Sequence, residues 1–129
     1  MRAIDTNVVI RFLTADNAEQ ARAARTIIQA GDIFISTSVL LECEWVLRSG
    51  YGFSADEIAT GMTGLAGLPR LTVEDPALLA QAIDWMREGM DFADALHLTK
   101  AQHCTVFLTF DRKFVKAARG RGGVPVEAP

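Results

Sequence analysis

Apolar residues in this chain come in two kinds of run. Short ones at residues 2–4, Ile33-Phe34-Ile35, Leu71-Thr72-Val73 and Val106-Phe107-Leu108 read as strands. Ile33-Phe34-Ile35 is apolar throughout, as expected of a strand covered on both faces, and residues 2–4 read as a short buried strand of the same kind. Between the strands lie longer stretches in which apolar positions recur at three- and four-residue steps, the helical period. In the clearest of these, residues 39–48, Val39, Leu40, Cys43, Val46 and Leu47 share a face. A helix over residues 8–13 puts Val8, Val9, Phe12 and Leu13 on one side.

The stops agree with the periods. Asp16 and Asn17 restart the chain as a helix cap, and the Ala-, Gln- and Arg-rich stretch to Ala30 is built of good helix formers and closes at Gly31. Ser54-Ala55-Asp56-Glu57 is a capping box opening a helix to about residue 68 that carries Gly61, Gly64 and Gly67. Asp75-Pro76 starts a helix with proline in its first position, ended by Gly89. Residues 91–102 and 112–118 read as two further helices, and 124–126 as a final strand that Pro125 confines to a sheet edge. Strands alternating with helices predict an α/β fold, a three-layer α/β/α sandwich on a mostly parallel central sheet, with short right-handed crossovers. At 129 residues, one domain over 1–129 is expected.

Half of the residues are hydrophobic and 22% are charged, an ordinary globular balance. No apolar run reaches the length of a membrane span. The N-terminus shows no long apolar core and no cleavage site, so no signal peptide is expected, and the cytoplasm is the default location. Cys43 and Cys104 both lie in apolar contexts and are expected as buried thiols rather than a disulfide. The net charge of −3 argues against holding nucleic acid by bulk positive charge. It leaves room for an enzyme that meets nucleic acid through a metal.

Four acids stand in comparable places. Asp5 ends the first strand, Glu42 lies early in the helix after the second, Asp94 lies in the first turns of its helix, and Asp111 ends the fourth strand. The carboxyl ends of parallel strands lie along one edge, where open α/β sheets bind ligands. Carboxylates gathered there repel one another unless a cation joins them. Hard oxygen ligands with open positions suit Mg²⁺ or Mn²⁺, which can orient a water, lower its pKa and stabilise charge on a phosphodiester. Each acid also has a plain structural reading. Asp5, Asp91 and Asp111 are all placed to cap helices, and Glu42 sits among Leu40, Leu41, Cys43 and Trp45, where an unpaired buried acid would be costly.

Ile4-Asp5-Thr6-Asn7, Leu41-Glu42, Asp91-Phe92-Ala93-Asp94-Ala95-Leu96 and Thr109-Phe110-Asp111-Arg112 resemble, in order and over nearly the whole chain, the motifs of PIN-domain proteins, in particular VapC toxins of bacterial VapBC toxin–antitoxin pairs. Glu42-x-x-Trp45-Val46-Leu47-Arg48 and Tyr51 belong to the same likeness. The resemblance implies a PIN fold and a Mg²⁺- or Mn²⁺-dependent endoribonuclease. It implies that Asp5, Glu42 and Asp94 are the core metal acids and Asp111 a fourth that acts through water. It also implies that Thr6 or Asn7 braces the site, with Asp91 ranked below Asp94. RNA as substrate, a small VapB-type antitoxin and a homodimer are the implied partners.

Other residues carry less. His97 and His103 are six apart, which is no metal spacing on one helix face, and His97 reads as an ordinary partly buried histidine. Trp45 and Trp85 read as core or interface. Arg112, Lys113 and Lys116 are candidates for touching an RNA backbone. No phosphate-binding glycine loop or nucleophile elbow is present. Two other classes remain open: a regulatory module acting in a DNA-binding complex with a small partner, and a response-regulator-like domain. The missing lysine after a late strand weighs against the second.

Overall fold

Strands of two or three residues cannot form a sheet without helices to cover it, and this chain supplies seven. A computed structural model describes residues 1–129 as an α/β fold in which every strand pair is parallel. The chain divides into two units, Met1–Pro76 and Ala77–Pro129.

In the first unit, β1 (Arg2–Ala3), β2 (Ile33–Ile35) and β3 (Leu71–Val73) pair in the order β1-β2-β3. Parallel neighbours need a crossover rather than a tight turn. Helices α1 (Thr6–Thr14) and α2 (Ala18–Ala30) make the first crossover, and α3 (Thr37–Ser49) and α4 (Ala55–Ala66) the second. The ladder runs one residue past the strands, with Ile4 N donating to Phe34 O (3.1 Å) and Glu74 N to Ile35 O (2.9 Å). The chain therefore leaves the three strands at Asp5, Ser36 and Glu74, along a single edge.

Ile33 and Ile35 are fully buried, as a covered strand requires. The expectation of a buried first strand fails for Arg2 and Ala3, which are exposed; only Ile4, just beyond β1, is buried. β1 has one neighbour in its sheet, and Arg2 reaches sideways to donate to the carbonyls of Ile27 (3.2 Å) and Gly31 (3.4 Å). The buried face of α1 also differs from expectation: it is Thr6, Val9 and Ile10, with Val8, Phe12 and Leu13 only half covered. The periodicity missed Thr6 because threonine reads as polar. Its hydroxyl has a partner, so burying it costs little.

The ends of these helices follow their caps. Asn17 accepts from Gln20 N, Ser36 from Val39 N, and Ser54 and Glu57 form the expected capping box. Arg11, Asp16, Gln20 and Tyr51 tie α1, α2 and the turn after α3 together: Arg11 donates to Gln20, Asp16 and Tyr51, and the Tyr51 hydroxyl donates to Asp16 at 2.6 Å. That hydroxyl is the main reason the Asp16 carboxyl lies below its usual range.

The second unit holds α5 (Pro76–Arg87, whose first residue belongs to the first unit), α6 (Phe92–Lys100), β4 (Phe107–Leu108), α7 (Arg112–Ala118) and β5 (Val126–Glu127). Phe107 N donates to Pro125 O (2.8 Å) and Thr109 N to Glu127 O (3.0 Å), so β4 and β5 form a parallel pair crossed over by α7. The single central sheet expected from the sequence is thus two sheets, of three and two strands. The last strand starts at Val126 because Val124 is buried and its N–H is used by the Gln102 side chain (3.2 Å).

Trp85 is buried, Trp45 is 59% exposed, and Cys104 is exposed, against the expectation of two buried thiols. Cys104 lies in a bend between α6 and β4. No helix is long and apolar enough to cross a membrane.

The glycines of α4 are not there for close packing. A Cβ on Gly61 would sit 3.8 Å from Leu13, an ordinary contact, and one on Gly64 would meet nothing within 4 Å. Glycine in an exposed helix interior costs about 1 kcal/mol relative to alanine. Gly64→Ala should therefore stabilise the protein by about that amount, read as a higher urea midpoint with an unchanged slope. A lower midpoint would mean that Gly64 serves something other than the helix.

Candidate active site

The first unit contributes the residues around the exit of β1. Asp5 is the N-cap of α1, its Oδ1 accepting from Thr6 N at 2.8 Å. One turn of backbone chemistry thereby fixes the carboxylate at the strand's carboxyl end. Thr6 is buried, and its Oγ1 donates to Glu42 Oε1. Of the two residues expected to brace the site, Thr6 is the one that touches an acid. Asn7 instead lines a groove between α1 and α2 with Arg11 and Gln20.

Glu42 itself is exposed, against the expectation drawn from its apolar neighbours. The buried acid of α3 is Glu44, held by Arg48 one turn on at 2.8 Å. Beneath Asp5 and Glu42 lies the Cys43 thiol, which is fully buried and pushed up to about 12, first by burial and then by the charges of Glu42 and Asp5. A thiol so raised is inert at neutral pH. The charges of both carboxylates act on it, after burial.

Glu74, at the exit of β3, was not singled out from the sequence. Its Oε1 accepts from Thr37 N at 2.9 Å, so the exits of β2 and β3 are linked. The signal was available: Glu74 follows Leu71-Thr72-Val73 as Asp5 follows β1.

The second unit holds three candidate acids of its own. Asp91 is the N-cap of α6, its Oδ1 accepting from Asp94 N at 3.1 Å. Asp111 is the N-cap of α7, its Oδ1 accepting from Lys113 N (2.9 Å) and Phe114 N (3.3 Å). Asp94 is half-buried. Its carboxyl is raised above the usual range by burial first, then by the charges of Asp91 and Asp111, with His97 opposing. His97 is exposed, not partly buried as expected, and acts here only through its charge.

The structure therefore pairs Asp5 with Glu42 through Thr6, and sets Asp94 among Asp91 and Asp111. Neither unit by itself groups three His, Cys, Asp or Glu side chains around one metal position. The donor chemistry nevertheless fits a hard divalent cation. Every candidate is a carboxylate, and the like charges that raise Asp94 are what a cation relieves.

No curated protein matches the chain in sequence. A family model described as PIN domain matches residues 3–120, a span that includes Asp5, Glu42, Asp94 and Asp111. PIN domains are usually metal-dependent nucleases. With nearly its whole length matched, the chain belongs to the PIN domain family.

Proposed function

We propose that residues 1–129 act as one cytoplasmic nuclease domain, a Mg²⁺- or Mn²⁺-dependent endoribonuclease that serves as the toxin of a VapBC-type toxin–antitoxin pair. The observation that supports this most is the setting of Asp94, whose carboxyl is raised first by burial and then by the like charges of Asp91 and Asp111. Asp5, Glu42 and Asp94 are the residues that would hold the ion, with Asp111 acting through water. When bound, such an ion lowers the pKa of a water and offsets charge on the scissile phosphodiester.

The chain's own side chains have distinct tasks in this reading. Thr6 fixes Glu42 by donating to one of its oxygens. Asp5 is fixed by its cap bond, which uses one oxygen and leaves the second for a ligand. Asp111 commits one oxygen to two amides. Its second oxygen stays uncommitted, as in Asp5, and is the one that would orient water.

Purified protein should cleave total cellular RNA only when Mg²⁺ or Mn²⁺ is supplied. Asp5→Asn and Asp94→Asn should each lower cleavage by about 10²-fold or more, since small misplacements of a reacting group cost that much, and both should keep the wild-type circular dichroism spectrum. A folded Asp94→Asn protein with full activity at saturating Mg²⁺ would overturn the assignment.

Stability gives an independent reading. The Asp94 carboxyl is raised in the folded state, so its ionised form is disfavoured there relative to the unfolded chain. The resulting destabilisation is present above the folded pKa and vanishes as pH falls below the unfolded value. In EDTA at neutral pH, Asp94→Asn should thus melt higher than wild type. Mg²⁺ at tenfold excess over its dissociation constant should stabilise wild type by about 1.4 kcal/mol, or roughly 3 to 7 °C, and the variant by less. A wild-type melting point indifferent to metal defeats the shared-ion reading.

We also propose a homodimer and a small antitoxin partner. Trp45, exposed on α3, is apolar surface that an interface would cover. Sedimentation at micromolar concentrations should show a dimer, and a pull-down from the native host should recover a small protein. A lone monomer removes the first claim, and an empty pull-down the second.

A further inference from the structure

We propose that Phe110 and the face of α7 bearing Arg112, Lys116 and Arg119 form a docking surface for single-stranded RNA, with the Phe110 ring as a stacking platform for one base. The identity of the strand rests on the ribonuclease reading; the surface itself does not.

Arg112, Val115, Lys116 and Arg119 follow one another at helical steps, so they share one face of α7 and its C-terminal end. With Thr109 and Phe110 they line a groove of about 290 Å³. Lys113, a candidate from the sequence, is not among its walls, and Arg119 takes its place. The three cations are exposed and none is held in an ion pair. In a chain of net charge −3, three free cations on one helix face mark a local site for an anionic chain. The span from Arg112 to Arg119 is about 10 Å at 1.5 Å per residue, which suits a linear polyanion better than a single ion.

Phe110 supplies the second half. It is 87% exposed, the most exposed large hydrophobic residue of the chain. A phenyl ring gains nothing from water, and beside free cations it can stack on a nucleic-acid base while they hold the phosphates. The loop is already set for this. Asp111 N donates to Thr109 Oγ1 at 3.0 Å, and Asp111 in turn caps α7, so Phe110 is held between two fixed neighbours. The backbone on both sides of the ring is thus already ordered, which lowers the cost of binding. A paired strand hides its base faces, so only an unpaired strand can use the ring. Because Asp111 follows Phe110 directly, a strand stacked there passes next to a candidate active-site acid.

The test is binding of fluorescently labelled oligouridylate to the full chain in EDTA, read by anisotropy, so that cleavage plays no part. Phe110→Ala should weaken binding by about 5- to 100-fold, while Phe110→Trp should preserve it and show quenching of the added indole as RNA is titrated. Lys116→Glu should weaken binding more than Lys113→Glu, which carries the same charge change off the groove. Lys116→Ala should lessen the salt dependence by about 0.7 in the log–log slope. Wild-type affinity in Phe110→Ala, equal effects at positions 113 and 116, or equal binding of duplex RNA each overturns the proposal. If RNA is cleaved but these variants bind normally, the surface is wrong and the nuclease reading stands. If they lose binding and nothing is cleaved, the surface stands and the nuclease reading falls.

Discussion

Parallel pairing of β1, β2 and β3 is the constraint on which the first unit depends. It forbids hairpins, so each strand must be followed by helical crossover before the next can pair. It also puts every strand exit on one edge, and every exit residue must then satisfy the free amides of a helix start. Asp5 does so for α1 and Ser36 for α3, and Glu74 reaches across to Thr37 N. The capping reading of Asp5 and its catalytic reading are therefore not rivals. A cap bond uses one oxygen, holds the side chain still and leaves the other oxygen uncommitted.

The electrostatic consequence is local and asymmetric. In the first unit, Asp5 and Glu42 are exposed, and their effect is felt by the Cys43 thiol beneath them. In the second, half-buried Asp94 carries the penalty itself, because burial and two like charges act on the same carboxyl. Like charges crowded on one carboxyl are a cost in the folded state that a cation would relieve. Caps and short ladders can hold such a carboxyl only because the apolar faces of the helices supply burial elsewhere, with Val9, Leu40, Met62 and Phe92 almost wholly covered.

Much of this was legible in the residues. Ile33-Phe34-Ile35 and Leu71-Thr72-Val73 are strands as read, α7 spans the residues expected, and the capping box at Ser54 is formed. What was not legible depended on partners that local pattern cannot show. Thr6 joins the buried face because Glu42, far away in the chain, accepts its hydroxyl. β4 pairs with β5 rather than extending the first sheet, a choice that lies in long-range pairing and leaves no periodic trace. Cys104 is exposed although the apolar run Val106-Phe107-Leu108 follows closely, because local composition does not say which side of a connecting bend faces the core. Asp5 and Asp111 were singled out by their position after strands; the same rule, applied once more, finds Glu74.

Helix α3 shows why the neighbourhood of an acid in sequence misleads. Glu42 stands among Leu40, Leu41, Cys43 and Trp45, yet the helix turns about 100° per residue, which carries Glu42 to the far side from Leu40. The residues that share the buried face are Leu40, Cys43, Glu44 and Leu47. The acid that meets the cost of burial is thus Glu44, and it meets it with Arg48 one turn on, which reaches both of its oxygens at 2.8 and 3.4 Å. Paired in this way, Glu44 has little left to offer a ligand. Glu42, two residues earlier, carries no such cation and gives one oxygen to Thr6. A carboxylate suited to a metal must be anchored but not neutralised, and in α3 only the helical phase separates the acid that meets that condition from the one that does not.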